Sequence, residues 1–143
     1  LGLAKCTYSI SKRKMVCTSN DGSSRSSIGP DGVWSGVRQC ENNPSKECIK
    51  SENFGPVPPG TYNMNRDYRA GHNGFWRLEP NPKIPGWKCS FGMARCGFMF
   101  HPGTMSLGCI TVDRMDPELM KQYLEMHNLL LRDEGSNSLN VEP

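Results

Sequence analysis

No stretch of this 143-residue chain is apolar over the roughly 20 residues that a membrane-crossing helix needs, so no membrane span is expected. Clustered positive charge is missing too. The 17 Lys and Arg against 14 Asp and Glu leave a net charge of +3, and apart from Lys12-Arg13-Lys14 the cations are dispersed, which argues against nucleic acid. That triplet reads as a solvated turn in preference to a patch for an anionic envelope surface. No C-x-x-C pair occurs, which excludes zinc ribbons and redox dithiols. No metal and no cofactor is expected. Strongly periodic segments are scarce before the C-terminus, and internal repeats are absent. With apolar residues at 36%, 15 Gly and 11 Pro, residues 1–143 read as one mainly β domain with long connections.

Cysteine, in contrast, is abundant. Seven occur, at positions 6, 17, 40, 48, 89, 96 and 109, and this density points to an oxidising, extracellular setting. An odd number leaves one thiol over. The simplest partition pairs six and leaves Cys109 free; pairing of neighbours, Cys6 with Cys17, Cys40 with Cys48 and Cys89 with Cys96, is the expectation among many connectivities. Each bridge would stabilise a loop-rich chain by about 2–4 kcal/mol. The chain opens on Leu1 without a signal segment, as expected of a mature or trimmed, exported product.

Taken in order, residues 6–10 and 15–18 are β-prone runs joined as a hairpin with a longer loop. Residues 20–27 read as a flexible connection, residues 33–37 as a short strand interrupted by Gly36, and residues 38–53 as a long disulfide-tied loop. In the segment from Phe54 to Tyr62, Pro56, Pro58 and Pro59 prevent an interior strand before Thr61; its rigid form suits either a cleft wall or a plain turn. Residues 75–78 form another strand candidate. The one convincing helix is C-terminal. Asp116 supplies an N-cap, Pro117 the first position and Glu118 a favourable first-turn charge, with an apolar stripe through Leu119, Tyr123, Met126 and Leu130. The helix is expected from Pro117 to about Asp133, with Gly135 as its stop and residues 136–143 as a loose tail.

The stretch with chemistry in it is Phe98 to Val112. The apolar run Phe98-Met99-Phe100 delivers His101; Pro102, Gly103 and Gly108 turn the chain; Cys109 opens the β-prone run Ile110-Thr111-Val112. A hairpin here would set His101 beside Cys109, the arrangement a thiolate–imidazole pair needs. A chance neighbourhood, with Cys109 half of a disulfide, is the alternative. A papain-like peptidase is disfavoured because His101 precedes Cys109.

His101 followed by Ser106-Leu107-Gly108-Cys109-Ile110 resembles the signature of L,D-transpeptidase, or YkuD-like, catalytic domains. Trp34-Ser35-Gly36, then Asn42-Asn43-Pro44, then Gly55-Pro56-Val57-Pro58-Pro59-Gly60-Thr61-Tyr62, then Met93-Ala94-Arg95-Cys96-Gly97-Phe98 resemble, in that order, the branch containing type VI secretion L,D-transpeptidase effectors. Three departures stand out: Pro102 where the family usually has Gly, a short His101-to-Cys109 loop, and Thr111 where many members carry Arg. The resemblance implies a β-sandwich or barrel with a C-terminal helix. It also implies cysteine-dependent cleavage or exchange at the L,D-amide of peptidoglycan stem peptides, with an antibacterial role. Cys109 would be the nucleophile and His101 the base, while N–H groups at Gly108 and Cys109 would hold the oxyanion. Ser106 would orient His101 or the loop, or satisfy local backbone. Arg95, Tyr62 and His72 are the substrate-side candidates, although Arg95 also suits a surface ion pair and His72 an exposed loop. The expected partners are stem peptides and an immunity or inhibitor protein, with the chain itself a monomer. The rival reading is a non-enzymatic, disulfide-rich module that binds cell wall.

Overall fold

The computed structural model describes residues 4–51, 54–71, 74–81, 97–106, 108–132 and 137–143. The strands are β1 (Lys5–Ser9), β2 (Lys14–Thr18), β3 (Arg25–Ile28), β4 (Val33–Trp34), β5 (Gly60–Arg66), β6 (Trp76–Pro80), β7 (Met99–Gly103), β8 (Ile110–Asp113) and β9 (Asn137–Glu142). The helices are α1 (Lys46–Lys50) and α2 (Pro117–Arg132), with a 3-10 turn at Arg38–Cys40. The strands form one sheet in the order β3-β2-β1-β9-β5-β6-β7-β8-β4. It curls until its ends approach: Lys12 O accepts the Asp31 N–H, and Arg13 O accepts the N–H groups of Gly32 and Val33 (3.2–3.3 Å). The fold is therefore mainly β and nearly closed, as the resemblance implies.

Alternation along the strands builds the core, since successive side chains face opposite sides of a sheet. Cys6 and Tyr8 of β1, Met15 and Cys17 of β2, Met64 of β5, Trp76 and Leu78 of β6, and Leu139 and Val141 of β9 are all buried. Helix α2 covers this face with Tyr123, Met126, Leu129 and Leu130, packing on β3, β8 and β2. Its cap is as expected, because Asp116 Oδ1 accepts the N–H groups of Glu118 and Leu119 (3.0 and 3.2 Å). His127, which sequence left without a role, accepts the Trp76 indole N–H on Nδ1 (3.0 Å) and so satisfies a buried donor.

Two cysteine pairs follow the neighbour pattern. Cys6 and Cys17 sit opposite each other on β1 and β2 and are bonded; Cys40 and Cys48 close the loop that carries α1. The expected Cys89–Cys96 pair and the Gly135 stop lie outside the described residues.

Three expectations are overturned. The loose tail expected over residues 136–143 is replaced, in its described part, by β9, which lies inside the sheet, parallel to β1 and antiparallel to β5. Its first residue, Asn137, is fully buried, accepting from Ala4 N–H and donating to Leu130 O (3.2 Å each), which ties the end of α2 to the sheet. Residues 20–27 are not wholly a flexible connection either, since β3 pairs with β2 through Met15↔Ile28 to Thr18↔Arg25. The third concerns the stretch around His101. β7 and β8 do not form a hairpin; they run parallel, with Phe100↔Ile110 and His101↔Thr111 in register. Only six residues separate the two strands, although parallel strands usually need a crossover of about a dozen residues.

Candidate active site

The parallel register decides what His101 and Cys109 can do. Phe100, Ile110 and Val112 are fully buried on the α2 side, and Phe100 meets the Tyr123 ring (centroids 5.0 Å apart). By alternation, Met99, His101 and Thr111 share the opposite face. His101 is level with Thr111. Cys109 is the bend residue that leads into β8, one before Ile110 and so at the Phe100 end of the β7–β8 pair. The Met99 backbone is close enough to influence its thiol.

His101 is held on three sides. Its ring stacks on Phe75 (centroids 4.7 Å, planes at 26°). Its Nδ1 lies 2.7 Å from Pro102 O. A carbonyl only accepts, so Nδ1 carries the proton and Nε2 is the basic nitrogen. On the third side is Gly103, where a Cβ would lie 3.1 Å from His101 Cε1 and 3.3 Å from Nδ1, with the Thr111 methyl 3.5 Å away. No side chain fits at Gly103 without moving the imidazole. At two of the departures from the family pattern, Pro102 contributes its carbonyl to the imidazole, and Thr111, level with His101, is fully buried.

Cys109 is a half-buried free thiol. Burial pushes it above the ordinary value of 9.0, with the Met99 N–H pulling partly the other way. At neutral pH it rests as the thiol, and a base must take its proton before it attacks.

The turn that presents Cys109 is held by serines. Ser106 is buried; its hydroxyl donates to Cys109 O (2.6 Å) and accepts from Gly36 N–H (3.1 Å) and Gly108 N–H (3.4 Å). One donor and two acceptor sites are then all engaged by backbone. Ser106 accordingly orients the loop and not His101. Gly108 has φ 119°, which favours glycine. Because its N–H points to Ser106, Gly108 does not stand ready as an oxyanion donor, and Cys109 N–H is the one left of the expected pair. A second serine was missed: Ser35, fully buried, donates to Gly108 O (3.0 Å) and accepts from Val57 N–H (2.8 Å). It reaches this position because β4 pairs with β8 through Trp34↔Thr111.

The substrate-side candidates fare differently. Tyr62 is a correction: it is buried at 5% exposure, and its hydroxyl donates to Pro58 O (2.7 Å), so it pins the proline segment from inside and offers no binding surface. Arg95 and His72 lie outside the described residues. A cation that sequence reading passed over is Arg69. It is clamped by the buried Asp67 (Nη2–Oδ2 2.6 Å) yet 64% exposed, with Nη2 3.6 Å from Met99 Sδ on the His101 face. Burial of the pairing carboxylate beside an exposed guanidinium is a three-dimensional signal with no trace in the Asp67-Tyr68-Arg69 spacing. Among the described residues no group of acidic, His and Cys side chains is arranged to hold a metal.

A family model described as the Tlde1 domain matches residues 31–139. No curated protein matches the chain significantly. The matched span runs from just before β4 into β9 and takes in Ser35, His101, Ser106 and Cys109. Well over half of the sequence is covered, and the chain therefore belongs to the Tlde1 domain family of type VI secretion L,D-transpeptidase effectors, enzymes that act on peptidoglycan.

Proposed function

We propose that the protein breaks the amide between the L-centre of a diamino acid and the following D-residue of peptidoglycan stem peptides, by acyl transfer through Cys109. The observation that carries this reading is a free thiol at the entry to β8, next to the parallel strand β7 that carries an imidazole whose Nδ1–H is committed to Pro102 O. His101 Nε2 takes the thiol proton as sulfur bonds to the carbonyl carbon; the same proton passes to the leaving amine as the C–N bond breaks. Cys109 N–H receives the charge on the carbonyl oxygen. Water then releases a trimmed stem peptide, or an amine forms a new amide with exchange of the D-residue. Arg69 is a cation on the His101 face for a substrate carboxylate. In keeping with the effector family, the site of action is the periplasm of a target bacterium, where trimming removes donors for crosslinking, and an immunity protein is the matching partner.

Incubation with muropeptides followed by mass spectrometry tests this. Loss of a terminal D-residue indicates hydrolysis and a mass exchange with added D-amino acid indicates transfer; both are expected to vanish in Cys109→Ala. Thiol titration of the native protein is expected to find one cysteine reactive to iodoacetamide, absent from that variant. Unchanged muropeptides beside an active control would overturn the reading in favour of a wall-binding module.

A further inference from the structure

Both peptide units that flank Cys109 are tied to buried hydroxyls. Ser106 holds the Cys109 carbonyl and Ser35 holds the Gly108 carbonyl. A trans peptide points its C=O and N–H in opposite directions. Fixing Gly108 O on Ser35 therefore fixes the direction of Cys109 N–H. Ser35 is itself held at both backbone atoms by one residue, Asn42: Ser35 N–H donates to Asn42 Oδ1 (3.0 Å) and Ser35 O accepts from Asn42 N–H (2.9 Å). Asn42 lies in left-handed backbone (φ 54°), two positions beyond Cys40 in the segment anchored by the Cys40–Cys48 bridge. The neighbouring Gly36 leaves no room for adjustment, since a Cβ there would lie 2.8–2.9 Å from Phe54 O, Cys40 O and Pro56 N. The four separated segments around Ser35, Asn42, Val57 and Gly108 thus converge on a single peptide plane.

We propose that Ser35 is a positioning residue for Cys109, locking the Gly108–Cys109 peptide so that the thiol and the Cys109 N–H are presented together, and that Asn42 holds Ser35 in that place. The proposal rests on Cys109 as nucleophile, but its decisive readout needs no peptidoglycan turnover. Replacing Asn42 by Gly keeps the left-handed backbone at no strain and removes only the Oδ1 acceptor; Asn42→Asp restores it. Asn42→Gly is expected to lower kcat for stem-peptide cleavage by about tenfold to a hundredfold with KM little changed. The pH midpoint of Cys109 alkylation by iodoacetamide should also move towards that of an unstructured thiol, while Asn42→Asp keeps wild-type behaviour in both. Ser35→Ala should reproduce the Gly variant with a larger effect; if it fails to fold, the Asn42 pair decides alone. A folded Asn42→Gly protein with wild-type kcat and wild-type alkylation midpoint would overturn the proposal, and so would an Asn42→Asp protein as impaired as Asn42→Gly. If the wild type cleaves no stem peptide, the assigned reaction fails, and the alkylation midpoints still decide the positioning role.

Discussion

The two faces of the β7–β8 pair are built on different physics, although they alternate residue by residue along the same strands. Towards α2, Phe100, Ile110 and Val112 are held by burial, which is non-directional and scales with area. Away from that packing, His101 and Cys109 are held by a few directed bonds: Nδ1–H to Pro102 O, Ser106 to Cys109 O and Ser35 to Gly108 O. The first face governs whether the chain folds and the second whether it reacts. The sharpest way to break that division is to truncate one residue on each side of it. Phe100→Ala is expected to cost about 3–5 kcal/mol in chemical denaturation. Cys109→Ala is expected to abolish turnover while changing stability by less than about 1 kcal/mol. Comparable destabilisation by both would mean the faces are not separable.

Next in size is His101. His101→Gln removes the base, and kcat is expected to fall about 10²–10⁴-fold. The pH dependence gives the sign. The thiol is pushed above 9.0 by burial, so at neutral pH the wild-type rate depends on transfer of its proton to His101. Without that acceptor the residual rate should climb as pH rises through the thiol's own titration. A flat profile in the variant would show that the thiolate forms by another route.

The same contrast explains what was legible in the sequence. Core strands announce themselves, because β-prone runs bounded by Gly and Pro are local patterns; β7, β8 and the capped helix were found that way. The two observed disulfides follow nearest-neighbour spacing. Strand direction was not legible: whether β7 and β8 run antiparallel or parallel depends on where Ser106 and Gly108 find partners, and one of those partners is Gly36, 70 positions away. β9 was missed because only Leu139 and Val141 break its polarity, although their alternation was there to see. β3 was missed because it is an edge strand with a polar sequence, a common guard against edge pairing. Ser35 stood within the Trp34-Ser35-Gly36 motif but had no role there; that role exists only once β4 lies beside β8. Tyr62 failed as a binding candidate for the converse reason, since its place in a motif said nothing of which way the ring faces.

A smaller effect sharpens the picture of how closely His101 is held. Gly103→Ala places a Cβ 3.1 Å from Cε1 and 3.3 Å from Nδ1. The imidazole must yield by a few tenths of an ångström, which lengthens its bond to Pro102 O or loosens its stack on Phe75. A loss of about tenfold in kcat is expected with a stability change below about 1 kcal/mol. Alkylation of Cys109 should be less affected than turnover, because the thiol is not the group displaced. Equal loss in both would place the disturbance in the 104–109 turn.

The smallest effect belongs to a hydrogen-bonded turn with no part in the chemistry. Asp21 Oδ1 accepts from Ser19 Oγ (2.8 Å) and from Ser23 N and Oγ (2.9 and 2.7 Å), joining β2 to β3. The Ser23 hydroxyl first, then the Ser23 N–H and Ser19, lower its carboxyl to about 2 from the ordinary 3.8. A depressed carboxylate contributes stability that is present above its unfolded value and is lost as pH falls through its folded one. The stability gap between wild type and Asp21→Asn should therefore be constant at neutral pH, where it is small because the group is exposed, and should close between 3.8 and about 2. Turnover of stem peptides should be the same in both proteins. If Asp21→Asn slowed turnover while leaving melting unchanged, directed hydrogen bonds far from Cys109 would be tuning the site, and the division between the two faces of β7–β8 would have to be widened to the whole sheet.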